Sequence, residues 1–189
     1  NKSSMASLPK SGTVTYEEWL QMPEVEDATE EVVNGEIRIM PPAKWKHAMI
    51  VEHLHSALKD QLDPKKVVVA TGSFGLVIRK QPLTSRVPDL AVFELSTLIE
   101  QDGYIHSAPQ LLIEVWSPAN TRRERAEKLA DYGSLGVPEM WMFFPERRNV
   151  EVFYLENGSL RQSQVLTEGI LKPKRFPGVQ VDISGIWPA

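Results

Sequence analysis

Residues 111–144 constrain the fold more than any other part of this chain. They contain two apolar runs, Leu111-Leu112-Ile113-Glu114-Val115-Trp116 and Glu139-Met140-Trp141-Met142-Phe143-Phe144, with a helical stretch between them. Short apolar runs bounded by breakers have the length of buried strands rather than of helices. Ser117-Pro118-Ala119-Asn120 interrupts the first run and Pro145 ends the second. Thr121 followed by Glu124 has the spacing of a capping box, which starts a helix running to about Tyr132, ahead of Gly133 and Gly136. A strand, a helix and a second strand of this kind pack as a right-handed crossover between parallel strands.

The remaining segments add antiparallel partners. Thr15 and Glu18 repeat the capping-box spacing and predict a short helix over 16–20, with Trp19 packed on the core. Asn34-Gly35 sits between Val32-Val33 and Ile37-Arg38-Ile39, and both turn residues tolerate positive φ, so a tight hairpin is expected. Residues 44–62 carry Ala48, Val51, Leu54, Leu58 and Leu62 at helical spacing before Asp63-Pro64. Strands are expected at 66–70, 75–79 and 88–93, with 81–86 a polar loop and 96–101 a short helix or turn. A second hairpin is expected around Asn157-Gly158, and a last short edge at 179–183. This order predicts an α/β chain of the α+β kind, with one central mixed sheet flanked by helices and decorated by β-hairpins. Residues 15–189 read as one domain, and 1–14 as a tag remnant and flexible N-terminus.

No apolar run approaches the roughly 20 residues of a membrane span, so a soluble protein without a membrane partner is expected, and the lack of cysteine suits a cytoplasmic location. The chain has no cysteine, which leaves only oxygen and imidazole as metal donors and removes a thiol nucleophile. A net charge of -4 argues against a broad basic coat for non-specific nucleic-acid binding. Two local basic clusters remain: Arg122, Arg123, Arg125 and Lys128 follow the Glu114 run, and Arg79, Lys80 and Arg86 precede Asp89.

Asp89 and Glu114 are the residues that point to chemistry. Each stands at the edge of an apolar, strand-like run, where an acid is costly to bury unless something pairs with it. A divalent cation held between two carboxylates on neighbouring strands is one solution, and hard oxygen donors favour magnesium or manganese. Such an ion suits phosphodiester hydrolysis, and nearby arginines suit phosphate oxygens. Plainer readings stand beside this one. Asp89 after a proline could cap a turn, Glu114 could pair with Arg79 or Arg86, Lys128 could be a solvated surface charge, and Glu31 could face solvent on its hairpin. His47 could make an ordinary hydrogen bond at the start of its helix.

Glu31-Val32-Val33-Asn34-Gly35-Glu36, Pro41-Pro42 with His47, Pro88-Asp89, Glu114-Val115-Trp116-Ser117-Pro118, Lys128 with Tyr132, and Gly136-Val137-Pro138-Glu139-Met140-Trp141 together resemble the Uma2 family of restriction-endonuclease-like domains. The resemblance spans 15–187 and implies the fold of the PD-(D/E)XK nuclease superfamily, a magnesium-dependent (or manganese-dependent) endonuclease site and DNA as substrate. It places Asp89 and Glu114 on the metal. The superfamily's lysine belongs two residues beyond Glu114, where this chain has Trp116; in the resembling members a basic residue of the following helix takes that place, here Lys128. Glu31 and His47 match further family positions, completing the metal site or positioning water. Arg86, Arg122, Arg123 and Arg125 would hold the nucleic-acid backbone, and a homodimer would let both strands of a duplex be cut. Trp116 also motivates the alternative of an inactive nuclease-like module that binds nucleic acid or protein.

Overall fold

The computed structural model describes residues 12–189, so the expected tag remnant lies outside the described residues except at its last three positions. Val14 is already buried, and its amide donates to the Gly35 carbonyl at 2.7 Å, so packing begins one residue ahead of the expected boundary.

In chain order the elements are α1 (Tyr16–Leu20), β1 (Thr29–Val33), β2 (Glu36–Met40), α2 (Trp45–Lys59), β3 (Val67–Thr71), β4 (Leu76–Lys80), β5 (Leu83–Arg86) and β6 (Leu90–Glu94). Then follow β7 (Glu100–Gln101), β8 (Tyr104–Ile105), β9 (Leu111–Val115), α3 (Arg122–Leu135), β10 (Glu139–Phe144), β11 (Asn149–Glu156), β12 (Ser159–Leu166), β13 (Ile170–Leu171) and β14 (Val181–Asp182). Both capping boxes form, at Thr15 and at Thr121, and Gly136 closes α3 in the left-handed conformation with φ 92°. Among the described residues no helix is long and apolar enough to cross a membrane.

The class is mixed α+β, but the strands divide into two mixed six-stranded sheets and one small pair, where a single sheet was expected. The first sheet runs β2-β1-β5-β4-β8-β7, and the second runs β12-β11-β10-β9-β6-β3. The difference comes from residues 81–86. Read as a polar loop, they contain β5, which pairs with β4 and meets β1 at Val32 and Ser85. Leu83, Thr84, Ser85 and Arg86 are all buried. A strand of polar residues is stable inside a protein when each polar group finds a partner, and hydropathy cannot show partners. Here the Thr84 hydroxyl accepts from the Asn34 amide at 3.1 Å, and Arg86 is fully engaged by acids. Similarly, residues 100–105 form a two-stranded hairpin whose turn, Asp102-Gly103, has positive φ at both positions.

The second sheet carries the site. Its β9 and β10 pair in parallel across α3, as the crossover pattern requires, and β6 runs antiparallel beside β9 with Leu90 opposite Ile113. Side chains alternate between its two faces. Leu90, Val92, Leu111, Ile113, Val115, Trp141 and Phe143 pack with Ile50, Leu54 and Leu58 of α2. Ala91, Phe93, Leu112, Met140 and Met142 pack on the opposite side with Tyr132 of α3. Glu114 alternates with Ile113 and Val115, which places its carboxylate on the α3 side.

Helix α3 approaches the β11–β12 turn closely. A Cβ at Gly133 would stand 3.1 Å from the Gly158 carbonyl oxygen and 3.2 Å from the Leu160 nitrogen, both backbone atoms that cannot rotate aside. Alanine is usually better than glycine in a helix by about 1 kcal/mol. At this position Gly133→Ala is expected to destabilise instead, by about 1–2 kcal/mol, measured by urea unfolding. A stabilised variant would mean that the turn can retreat.

Candidate active site

Asp89 precedes β6 and Glu114 is the fourth residue of β9, so antiparallel pairing brings the two carboxylates to the same end of the sheet. They lie within hydrogen-bonding reach of each other. Asp89 Oδ2 accepts from the Val115 amide at 2.7 Å and lies 3.3 Å from His47 Nε2, supplied by the first turn of α2. Glu114 Oε1 accepts from the Tyr132 hydroxyl at 2.7 Å, and Oε2 from the Lys128 ammonium at 3.3 Å. Lys128 and Tyr132 are four residues apart and therefore share one face of α3. The cluster opens to solvent at one side: Asp89 and His47 side chains are 22 % and 21 % exposed, against 3 % for Glu114.

The electrostatics follow from burying two acids together. Burial first, then the neighbouring charge of Asp89, pushes the Glu114 carboxyl up to about 8, against the pull of Lys128 and the Tyr132 hydroxyl. Asp89 is held below the usual carboxylate range: burial opposes this, but the hydrogen bond and charge of His47, with Lys128, outweigh it. Burial alone would lower His47 and Lys128, yet both are raised, His47 by Asp89 and Glu114, and Lys128 by Glu114, Glu31 and Asp89. The two acids are thus pushed in opposite directions, Asp89 toward its charged form and Glu114 toward its neutral one.

Behind the cluster lies a second ionic group, buried at Arg86 and Glu31 and reaching the surface through Arg79. Arg86 donates to Asp131 Oδ2 at 3.0 and 2.7 Å through Nε and Nη2, and to Glu31 Oε2 at 3.0 Å through Nη1. Glu31 Oε1 accepts from the Val87 amide at 3.0 Å, and Arg79 reaches Asp131 Oδ1 at 3.2 Å. The group ties β1 and β5 of the first sheet to α3, and so fixes the helix that carries Lys128 and Tyr132.

Four of the expected site residues therefore meet: Asp89, Glu114, Lys128 and His47. Lys128 is not a solvated surface charge, since its side chain is 13 % exposed and paired. Glu114 pairs with neither Arg79 nor Arg86, which serve Asp131 and Glu31. Glu31 stands one layer back with both oxygens occupied. Arg86, expected on a nucleic-acid surface, is corrected to an interior cation with 2 % exposure. Arg125 is held by Glu151 and by the Phe153 ring, whereas Arg122 is exposed and Arg123, 86 % exposed, pairs with Glu127 one turn on. Asp131 received no role from the sequence, and Tyr132 only a place in a motif. The four-residue step from Lys128 to Tyr132 was the signal that both reach one acid.

Among the described residues no three His, Asp or Glu side chains gather as a metal cage. Two carboxylates are nevertheless a sufficient protein contribution for magnesium, which keeps several waters and takes further oxygens from a phosphate substrate. The donor set fits: a cation between Asp89 and Glu114 would offset the burial, and then the like charge of Asp89, that raise Glu114.

Residues 16–184 match the model of the Uma2 family, described as "Putative restriction endonuclease". A search of curated proteins found no match. Among solved structures the chain is similar to "a putative nuclease belonging to DUF820" from Anabaena variabilis, with a TM-score of 0.75 and 21% identity. That likeness covers 92% of this chain and 97% of the other, and at this identity it speaks for the fold.

Proposed function

The chain belongs to the Uma2 family, and from that premise we propose that it is a metal-dependent endonuclease hydrolysing phosphodiester bonds of DNA. The observation that carries the proposal is the meeting of Asp89 and Glu114 at one sheet end with the Lys128 ammonium 3.3 Å from Glu114. Asp89 and Glu114 would hold magnesium or manganese. Such an ion, when bound, polarises a phosphoryl oxygen and lowers the pKa of its water. The other roles belong to side chains. Lys128 offers positive charge where the transition state gathers negative charge, in the place that Trp116, packed against Phe144, cannot serve. Tyr132 orients Glu114 through its hydroxyl, and His47 sits at the open rim to position water beside Asp89. Arg122 and Arg123 on the exposed start of α3 are suited to backbone phosphates, and two copies would cut both strands of a duplex.

The test is cleavage of plasmid and linear DNA with magnesium or manganese, with EDTA, and with Lys128→Ala. Activity is expected only with the ions, and Lys128→Ala is expected to lose about a hundredfold in rate. Equal rates for that variant would remove the lysine from catalysis. The position of Trp116 favours a second reading, a binding module without turnover. Salt-dependent DNA binding with no cleavage under any divalent ion would select it.

A further inference from the structure

The chain has ten arginines, and its acids outnumber its bases by 25 to 21. Among the described residues seven of the ten stand within 3.6 Å of a carboxylate. Arg122, Arg147 and Arg148 pair with no acid there, and all three are exposed. These three gather at one place. Arg122 opens α3 just beyond the end of β9, and Arg147 and Arg148 lie in the turn from β10 into β11. Strands β9 and β10 are parallel, with Glu114 opposite Met142 and Val115 opposite Phe143, so both end where Asp89 and Glu114 meet.

The path from the acids to the turn runs through side chains in contact. Trp116 is two residues beyond Glu114 and so points to the same, α3-facing side of the sheet. Its amide donates to the Phe143 carbonyl at 2.8 Å, which continues the β9–β10 ladder by one step. The Trp116 ring lies 5.8 Å from the Phe144 ring, and the Arg147 guanidinium lies over Phe144 at 5.4 Å. With a rise of about 3.3 Å per residue and a strand spacing of about 4.8 Å, the backbones of Glu114 and Phe144 are about 8 Å apart. A duplex strand rises about 3.4 Å per nucleotide, so a phosphate a few nucleotides from the scissile one falls at Arg147. Arg148 leans the other way. Its Nη2 donates to the Pro188 carbonyl at 3.5 Å, next to Trp187, whose ring lies 5.7 Å from that of Phe143 on the α2 side. The two arginines straddle the end of the sheet.

The turn has no conformational reason to contain an arginine. Arg148 has φ 49°, and the other non-glycine residues with positive φ among the described residues are Asp27, Asn34, Asp102 and Asn157. Asp and Asn are tolerated in that region because their short side chains bond to the local backbone, which an arginine side chain does not reproduce. Glu146, the acid of the turn, pairs with neither arginine. A ring beneath a guanidinium fixes its plane and leaves its N–H edge free for two phosphate oxygens.

We infer that the β10–β11 turn is a phosphate-binding arm, in which Arg147, seated on Phe144, and Arg148 hold the backbone of the substrate strand a few nucleotides from the cleaved bond. This rests on the nuclease reading above and extends the substrate contact to residues outside the acid cluster. Trp116, in the place of the missing lysine, then supports the ring on which Arg147 lies.

The experiment measures binding of a labelled DNA duplex by fluorescence anisotropy over a range of salt concentrations, using the Asp89→Asn chain so that the duplex stays whole. Adding Arg147→Ala or Arg148→Ala is expected to weaken binding about three- to tenfold, and each should lower the slope of log affinity against log salt by about one. Arg147→Lys should keep the slope, because the charge remains. Arg161→Ala and Arg175→Ala remove exposed arginines already paired with Glu156 and Glu94, and should leave affinity and slope unchanged. With Asp89 intact, the double variant Arg147→Ala/Arg148→Ala should raise KM about tenfold or more and keep kcat within about twofold, as expected for contacts equally strong before and during reaction. Unchanged affinity and slope in the double variant overturn the arm and leave the nuclease reading standing. Equal losses from Arg161→Ala overturn it too, since any surface charge would then serve. Failure of the Asp89→Asn chain to bind DNA at any salt concentration counts against both readings.

Discussion

Replacing Asp89 with alanine is expected to lower metal-dependent cleavage by about a thousandfold or more, the largest effect on activity of any single change in this chain. Three separate contributions are lost. The acid held toward its charged form disappears, His47 loses its partner at 3.3 Å, and the Val115 amide loses an acceptor at 2.7 Å. Asp89→Asn separates these. Its carbonyl oxygen can still accept from Val115, so the strand ends stay joined and stability should change by less than about 1 kcal/mol. Its charge is gone, so cleavage should fall as far as in the alanine variant. Rates are to be compared on nicked and linear DNA products in preparations purified alongside the double variant Asp89→Asn/Glu114→Gln. Cleavage by Asp89→Asn above that background, at a rate near the unmodified protein's, would remove Asp89 from the site.

The largest effect on stability is expected at Arg86. Arg86→Met fills much of the same volume but leaves Glu31 and Asp131 facing each other in the interior, where Arg86 itself is only 2 % exposed. Breaking a buried ion group by removing one partner costs about 3–5 kcal/mol, mostly because the remaining charge is left uncompensated. Arg79 softens the loss at Asp131 Oδ1 but does not reach Glu31. For a chain of this size the expected fall in Tm is roughly 10 °C, read by thermal and urea unfolding. Arg122→Ala provides the contrast: it is exposed at the helix start and should stay within about 0.5 kcal/mol of the parent. If the two arginine variants unfolded together, the ionic group would not be what fixes α3.

The inner face of α3 is one that a reading by hydropathy gets only in part. On a helical wheel Ala126, Leu129, Ala130 and Gly133 look like the inner face of α3. In the structure Ala126 and Ala130 are exposed, and the buried positions are Asp131, Tyr132 and Gly133, with Lys128 beside them. Besides Leu129 and Leu135, which pack on the core, the helix is seated through polar groups because the second sheet presents Glu114 to it and the first presents Arg86. Periodicity reads apolar burial well, which is why β6, β9, β10, both Asn-Gly hairpins and both capping boxes were legible. It fails where burial is driven by matched charge, as at β5 and the inner face of α3. The acid pair could be found because an isolated carboxylate in an apolar run is conspicuous. The role of Arg86 could not, since a buried arginine and a phosphate-binding one look alike until their partners are placed.

The close seat of Gly133 on the backbone of the β11–β12 turn reaches beyond packing. Residues 145–166 contribute none of the candidate acids, yet they form the floor on which α3 rests, and so set how far Lys128 and Tyr132 stand from Glu114. A shortened chain ending after Phe144 would contain every proposed ligand and still lack the support that aligns them. During synthesis on the ribosome, every proposed site residue is therefore made before the hairpin that seats α3.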